Sequence, residues 1–252
     1  LLNGNQCGAL LTDYLLSKTD LNGDEFIAYT IVSSELFSQV ARSFGVASEV
    51  CLTGFKHIAS LIRENEGKRT FVGGGEESYG YMVGDFVRDK DALTSTLIFC
   101  DMAAEAKVNG SSAMHRLIEL YRRNGLYKEH LISITKKGKT GAEEISRMMD
   151  TFRQNPPSQF GGEQVIILDD IKSGIRKNLD TKKESKINLP SSNVLQFYTS
   201  AGSKISARPS GTEPKIKFYI SLKSDWNEEK TLKDQQKAQE AQIDSIVKDL
   251  TL

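Results

Sequence analysis

The sequence is poor in the residues that build disulfide-linked and metal-stabilised folds. It has three cysteines and three histidines among 252 residues, scattered and without the close spacing of zinc ligands. We therefore expect neither a disulfide framework nor a metal site. Net charge is missing too, because lysine plus arginine and aspartate plus glutamate both number 33. No global field then attracts nucleic acid or an anionic membrane, and any anionic ligand must be bound locally.

Long apolar runs are also missing. No stretch approaches the roughly 20 apolar residues that a membrane-spanning helix needs, and no secretory signal stands at the start. We therefore expect a cytoplasmic protein with no membrane partner. The chain begins LLNGNQ, without an initiator methionine, which suggests processing or a fragment of a longer protein. Its 38% hydrophobic and 26% charged residues are ordinary for a globular protein with its own core.

Strand patterns alternate with helix patterns along the first half of the chain. The run FIAYTIV (26–32) is apolar, aromatic and β-branched almost throughout, as buried parallel strands are. Two further strand patterns, VASEVCL (46–52) and RTFVG (69–73), follow, each preceded by a helix pattern. This order predicts βαβ units in a mostly parallel sheet, with ligands bound beyond the carboxyl ends of the strands.

The pattern changes after Gly125, where we place a domain boundary. Several short alternating strand patterns, a helix and turns follow, and a polar amphipathic helix closes the chain. The fold prediction is a mixed, mostly parallel α/β sheet domain (1–125) followed by a smaller α+β domain with an antiparallel sheet (126–252). The charged stretch RKNLDTKKESK (176–186) is typical of a solvated loop rather than of a phosphate site.

The segment RPSGTEPK (208–215) concentrates hydrogen-bond donors just before a strand pattern. A guanidinium fork, two hydroxyls and backbone N–H groups exposed by glycine suit the oxygens of one anion. A plain hairpin turn is the alternative, since proline, serine and glycine are common turn residues. The residues predicted to form the anion-binding loop are Arg208, Ser210, Gly211, Thr212 and Lys215.

The segment GGGEESYG (73–80) follows the third predicted strand. Its three glycines permit a tight backbone path, and Glu76 and Ser78 come at the ligand-facing end of that strand. A carboxylate beside a hydroxyl suits the vicinal hydroxyls of a sugar, because one accepts and the other both donates and accepts. The alternative is that Glu76 or Glu77 caps the following segment.

Two further groups of polar residues accompany this loop. Before the third predicted helix, Thr53 and Gly54 offer a hydroxyl and a backbone N–H, and Lys56 offers a cation, unless it simply faces solvent. Arg88 and Lys90 add two cations after the glycine-rich loop. By themselves these two cations would be an ordinary surface pair.

Three segments, TGFKHI, GGGEESYGY with VRDKDA, and RPSGTEPK, occur in this order along the chain. Together they resemble the motifs of the α-D-phosphohexomutases, the phosphoglucomutase and phosphomannomutase group. The family enzyme has four domains, and this chain resembles the third (1–125) and the fourth (126–252). The resemblance implies an isomerase of carbohydrate metabolism, an intramolecular phosphotransferase that interconverts hexose 1-phosphate and hexose 6-phosphate.

The resemblance also implies a division of the chemistry among domains. A phosphoserine belongs to the first domain, Mg²⁺ is held by aspartates of the second, and hexose 1,6-bisphosphate is the intermediate and activator. In the third domain Glu76 and Ser78 bind hydroxyls at carbons three and four, and the implied residues around the sugar are Thr53, Gly54, Lys56, Arg88 and Lys90. In the fourth domain the implied residues for the non-reacting phosphate are Arg208, Ser210, Gly211 and Thr212.

The sequence departs from the family at two motifs. It contains neither the TASHNP loop of the phosphoserine nor the DxDxDR loop of the metal. The chain therefore supplies no catalytic nucleophile and no metal ligand. We expect the C-terminal, substrate-binding half of a phosphohexomutase, inactive alone, with a sugar phosphate and the missing N-terminal domains as partners.

The amino-acid sequence of the EESYGY loop resembles that of the corresponding loop in phosphoglucomutases of the type related to phosphopentomutases. It therefore favours phosphoglucomutase as the whole protein. The alternatives are a phosphomannomutase fragment, a phosphopentomutase fragment and a non-catalytic sugar-phosphate binding module.

Overall fold

The computed structural model describes residues 1–136 and 138–250. The chain divides into two compact units of equal length, unit 1 (Leu1–Leu126) and unit 2 (Tyr127–Leu252). Within the described residues, no helix is long and apolar enough to cross a membrane.

Unit 1 is built on a mixed sheet with the strand order β2-β1-β3-β4. Its elements in chain order are α1 (Gly4–Lys18), β1 (Glu25–Thr30), α2 (Leu36–Ser43), β2 (Ala47–Cys51), α3 (Phe55–Asn65), β3 (Thr70–Gly75), β4 (Tyr81–Val83), α4 (Ala92–Val108) and α5 (Ala113–Asn124). β1 is parallel to β2 and to β3, whereas β4 is antiparallel to β3. The predicted mixed, mostly parallel α/β sheet is confirmed, although the sequence pattern did not predict β4.

The central strand β1 is buried on both faces. Phe26 and Ala28 pack in one apolar cluster with residues of α3, including Ile58. The alternate residues Ile27 and Tyr29 pack in a second cluster with residues of α1 and α2. Because side chains alternate along a strand, this continuous apolar run fills both interfaces of a three-layer domain. Glu25 and Thr30, the charged and the aliphatic hydroxyl side chains of β1, are at its two ends.

Helix ends in unit 1 are fixed by short-range hydrogen bonds. At α1, the Asn3 side chain accepts from the backbone N–H of Gln6, and the Gln6 side chain accepts from the Asn3 N–H, both at 2.9 Å. This reciprocal arrangement is a capping box. At α4 the Asp91 carboxylate accepts from the N–H of Leu93 at 3.0 Å. These caps satisfy backbone donors that have no partner inside the helix.

Unit 2 is an α+β domain with an extended sheet in the order β5-β12-β11-β10-β7-β8-β9, with β6 paired to β7. Its elements are β5 (Leu126–Thr135), α6 (Gly138–Gln154), β6 (Gln159–Phe160), β7 (Glu163–Asp170), β8 (Ile175–Asn178), β9 (Glu184–Lys186), β10 (Leu195–Thr199), β11 (Lys204–Pro209), β12 (Lys215–Ser224) and α7 (Leu232–Leu250). The pairings from β12 through β9 are antiparallel. The predicted antiparallel α+β architecture is confirmed.

The core of unit 2 lies between this sheet and the helices α6 and α7. Phe152 of α6 packs edge-on against Phe197 and Phe218 of the sheet, with ring centroids 5.8 and 6.3 Å apart. Ile246 of α7 and Ala207 of β11 belong to the same buried cluster. Such aromatic contacts add about 0.5–1.5 kcal/mol each beyond the burial of their area.

The charged stretch 176–186 corrects one expectation. It is not a loop throughout, because β8 and β9 form an antiparallel hairpin that extends the sheet outward. Lys177 and Glu184 face each other across this hairpin with their charged atoms 3.3 Å apart, and every residue of β9 is exposed. Charged residues are common on edge strands because they oppose pairing with other chains, so the composition of a solvated loop and that of an edge hairpin look alike.

Candidate functional site

The polar loops of unit 1 gather at the carboxyl ends of its parallel strands. The segment after β2 carries Thr53 and Gly54, and the segment after β3 carries Glu76 and Ser78 in the turn between β3 and β4. The N–H of Gly54 donates to the Glu76 carboxylate at 2.6 Å. This bond joins the two segments that the sequence had singled out separately.

Glu76 is oriented by the amino end of α3. Gly54 is the N-cap residue of that helix, with a φ of 110° that favours glycine. The carboxylate thus lies where backbone N–H groups and the helix dipole favour negative charge. Its side chain accepts from the N-cap residue of α3, and among the described residues it accepts from no backbone N–H of the segment that follows it. Among the described residues, only one of its two oxygens has a hydrogen bond, so the other is available to a ligand.

Glu77 points inward, unlike its neighbour. Its carboxylate lies 3.5 Å from the Thr30 hydroxyl and 3.4 Å from the Ser33 hydroxyl, at the end of β1. Burial raises the pKa of Glu77 above its ordinary value. Sequence reasoning missed this role, because two adjacent glutamates in a glycine-rich loop carry no signal of which one turns inward.

The amino-terminal turn of α1 supports the loop between β3 and β4. A Cβ on Gly4 would lie 1.9 Å from the backbone oxygen of Glu77, so the two backbones are in close contact. The Tyr81 hydroxyl donates to the Gly4 carbonyl, and the Tyr79 hydroxyl donates to the Leu2 carbonyl at 2.9 Å. Tyr79 has a φ of 64°, which is uncommon outside glycine, whereas Ser78 is simply exposed.

The three predicted cations of unit 1 have different surroundings. Lys56 is exposed in the first turn of α3, and the Lys90 ammonium lies 5.5 Å from the ring centroid of Phe55, the first residue of that helix. Arg88 instead pairs with Glu66 at 2.9 Å, immediately after the other end of α3. That hydrogen bond raises the pKa of the Arg88 guanidinium. Lys56 and Lys90 therefore lie at the same end of α3 as Glu76, whereas Arg88 lies at the other end.

In unit 2, the predicted anion-binding loop is the tip of the β11–β12 hairpin. Arg208 is the cross-strand partner of Lys217, so the two side chains project from the same face of the sheet. The loop is closed by a 2.7 Å hydrogen bond from the Ser210 N–H to the Lys215 carbonyl. The Ser210 hydroxyl accepts weakly from the N–H groups of Thr212 and Glu213, at 3.4 and 3.3 Å.

This hairpin tip encloses a pocket of about 340 Å³ with a cationic lining. The lining residues are Arg208, Pro209, Ser210, Gly211, Thr212, Glu213, Lys215 and Lys217. Three cations face one carboxylate, and within the part of the chain that the structure describes no ion pair involves any of the three. Such an arrangement suits a dianionic ligand.

Lys217 is the cation of this pocket that sequence reasoning missed. Its signal was present, because residues two positions apart on a strand share a face and Lys215 was already placed at the loop. The register with Arg208 required the structure.

The described residues contain no cluster of histidine, cysteine, aspartate or glutamate suited to a metal ion.

The three-layer architecture defines unit 1 as an α/β domain, a class in which ligands commonly bind beyond the carboxyl ends of the parallel strands. Residues 3–121 match the family model described as phosphoglucomutase/phosphomannomutase, alpha/beta/alpha domain III. Unit 1 is therefore similar to domain III of this family.

Curated relatives extend the likeness beyond domain III. The chain is 39% identical over 223 residues to a phosphoglucomutase of Staphylococcus epidermidis, covering 88% of this chain and 41% of that protein. It is likewise 39% identical over 221 residues to a phosphoglucomutase of Staphylococcus aureus, covering 88% and 40%. The chain thus spans about two fifths of the length of these relatives.

Solved structures share the fold. The open form of parafusin, a phosphoglucomutase from Paramecium, matches with a TM-score of 0.64 at 18% identity, over 96% of this chain and 41% of that one. A putative phosphomannomutase from Thermus thermophilus matches with a TM-score of 0.57 at 15% identity, over 94% and 41%.

Proposed function

We propose that this chain is the C-terminal, substrate-binding half of a phosphohexomutase, and specifically of a phosphoglucomutase. Unit 1 binds the hydroxyls of the sugar, and unit 2 binds the phosphate that does not react. The observation that carries the proposal is the cationic pocket at the β11–β12 tip, where Arg208, Lys215 and Lys217 have no ion-pair partner among the described residues. The 39% identity to phosphoglucomutases supports the choice within the family.

Sugar binding centres on Glu76 and Ser78. The free oxygen of Glu76 accepts from a sugar hydroxyl, while its other oxygen stays on Gly54. The exposed Ser78 hydroxyl donates to or accepts from the neighbouring hydroxyl. Thr53, Lys56 and Lys90 line the same end of α3, and Arg88 keeps its structural partner.

Phosphate binding centres on Arg208. Its guanidinium gives charge-assisted hydrogen bonds to phosphate oxygens, and Lys217 beside it adds a second positive charge. The N–H of Gly211 and the side chains of Ser210 and Thr212 complete the donors. Hydrogen bonds from side chains and backbone allow the phosphate to be released and bound again. A bisphosphate intermediate that reverses its orientation in the site requires such reversible binding.

Bond making and breaking belong to the remainder of such an enzyme. Mg²⁺ and a phosphoserine supply the phosphoryl-transfer chemistry there, and this chain supplies positioning and charge neutralisation. We therefore propose a cytoplasmic enzyme with the N-terminal domains of the same protein as partners. The chain alone, assayed with glucose 1-phosphate, Mg²⁺ and glucose 1,6-bisphosphate, is expected to form no glucose 6-phosphate. Sustained turnover contradicts this division of labour.

The substitution Arg208→Ala tests the phosphate site directly. Losing a charged donor is expected to weaken binding of glucose 1-phosphate by about 1.5–3 kcal/mol, roughly 10- to 150-fold in Kd, by calorimetric titration. Lys186→Ala, which removes an exposed cation on β9 outside the pocket, is the matched control and leaves the affinity unchanged. Equal affinity of Arg208→Ala and the unmodified chain assigns the loop to a plain hairpin role.

Measuring the substrate preference requires the full-length enzyme. Recognition at carbons three and four does not separate glucose from mannose, which differ at carbon two. We expect the highest rate on glucose phosphate among glucose, mannose, glucosamine and ribose phosphates. A higher rate on mannose or ribose phosphate replaces the assignment by phosphomannomutase or phosphopentomutase.

A further inference from the structure

Helix α4 of unit 1 exposes an apolar stripe along its whole length. Leu93, Leu97 and Val108 have 85%, 67% and 86% of their surface exposed. Cys100 and Ala104 lie between them and are exposed too. At 100° per residue these five positions fall within about 80° of the helix circumference, and they extend for about 22 Å along its axis.

The opposite side of α4 is already buried in unit 1. Ser95, Met102 and Ala106 are the buried residues of this helix, which packs against α1, α5 and β4. A helix that is apolar on both sides is typical of one covered on both sides. The neighbouring helix α5 shows the ordinary pattern, because its exposed face carries charged residues such as Arg122 and Arg123. The α4 stripe is therefore unlike the solvent face of its own neighbour.

We infer that the α4 stripe is the docking surface for the part of the phosphoglucomutase polypeptide that lies outside the region matched here. The inference rests on the proposed function. The matched region covers 41% of the Staphylococcus epidermidis relative, so about three fifths of that polypeptide has no counterpart in this chain. The occupant is accordingly a folded part of such an enzyme that presents an aliphatic or aromatic surface without charges at its centre.

The composition of the stripe fits an occupant that is always present. Interfaces that form permanently are more apolar than transient ones, and an uncovered stripe of this length promotes aggregation. A partner on the same polypeptide is held at a high effective concentration, so it covers such a surface continuously. Charged residues flank the stripe at Asp101 and Lys107, as at the rim of an interface.

The experiment uses the full chain and, as probe, the remainder of the Staphylococcus epidermidis phosphoglucomutase produced as a separate polypeptide. Association is measured by sedimentation velocity and calorimetry for the unmodified chain and the double variant L93K/L97K. The matched control is L131K, which places lysine at an exposed leucine of β5 in unit 2. Because Leu93 and Leu97 are largely exposed, the double variant keeps its fold, which circular dichroism verifies.

We expect a 1:1 complex with the unmodified chain and with L131K, and at least tenfold weaker association for L93K/L97K. The inference is overturned if no complex forms, or if L93K/L97K associates as tightly as the unmodified chain. It is also overturned if the chain alone forms a dimer that the L93K/L97K substitutions dissociate, because a second copy is then the occupant. Titration with glucose 1-phosphate on the same samples separates the two proposals. If the unmodified chain does not bind glucose 1-phosphate, the phosphate site is contradicted. The measurement of docking does not depend on this titration.

Discussion

Replacing Gly4 with alanine sets two physical effects of opposite sign against each other. Gly4 is the first residue of α1, and the advantage of alanine over glycine inside a helix, about 0.5–1 kcal/mol, is the upper limit of the gain at this position. The new Cβ, however, would lie 1.9 Å from the Glu77 backbone oxygen and 2.9 Å from the Tyr79 backbone nitrogen. These are backbone atoms and no rotamer change relieves the contact, so α1 and the loop must separate by roughly 1.5 Å, given that carbon contacts are relaxed near 3.5 Å.

Overpacking of this kind costs about 1–3 kcal/mol, which exceeds the gain in helix propensity. We therefore expect Gly4→Ala to destabilise unit 1 by about 1–2 kcal/mol in urea unfolding followed by circular dichroism. We also expect faster hydrogen exchange in residues 76–81 and weaker binding of glucose 1-phosphate, because the loop carrying Glu76 moves. The control for the stability measurement alone is Gly211→Ala, where an added Cβ meets no atom within 4 Å and the urea midpoint is unchanged.

A Gly4→Ala variant that is more stable than the unmodified chain, with unchanged exchange in residues 76–81, refutes the reasoning. It would mean that helix propensity outweighs the contact and that α1 does not hold the loop.

Three further predictions follow from buried contacts in unit 1. Burial raises the native pKa of Glu77 above the ordinary 4.5. The stability that its protonated form contributes is therefore full below about pH 4.5 and is lost as the pH rises through the raised pKa. Glu77→Gln should remove this pH dependence from urea midpoints measured between pH 4 and 8, and an unchanged pH dependence contradicts the assignment. Gly74→Ala places a Cβ 2.0 Å from the Ala28 carbonyl and should lower the stability of unit 1 by about 1–3 kcal/mol in the same assay, whereas an unchanged midpoint shows that β1 and β3 yield without cost. Asn5→Ala leaves the buried N–H of Ser34 without its 2.8 Å acceptor and should cost about 1–3 kcal/mol, with faster exchange at that amide, and unchanged exchange argues that water replaces the side chain.

The fold was predictable where one interaction dominates a segment. The apolar run of β1 is buried on both faces, so its sequence specified a central parallel strand. The three-residue strand β4 has no such pattern, because it forms only by pairing with β3 after a tight turn. The hairpin of β8 and β9 is solvated, and its charges resemble those of a loop. Segments whose structure depends on a neighbour rather than on their own burial were the ones missed.

In the candidate sites, too, local contacts were predictable from the sequence and long-range contacts were not. Arg208 and Ser210 are neighbours in sequence and in space, since a hairpin tip is a local structure. The contact of Glu77 with Ser33 spans 44 residues and left no trace in either segment. Arg88 stands two residues from Lys90, but its guanidinium is held by Glu66 at a distant point of the chain.

The hydrogen bond between Gly54 and Glu76 has a stereochemical consequence. The hydrogen bond from Gly54 to one oxygen restricts the orientation of the carboxylate, so the second oxygen presents its lone pairs over a limited range of directions. Under the proposed function, discrimination among epimers at the contacted carbons arises from the angle at which a hydroxyl approaches and not from the volume of a cavity. An epimer with that hydroxyl inverted fits the same space and finds no acceptor aligned with it.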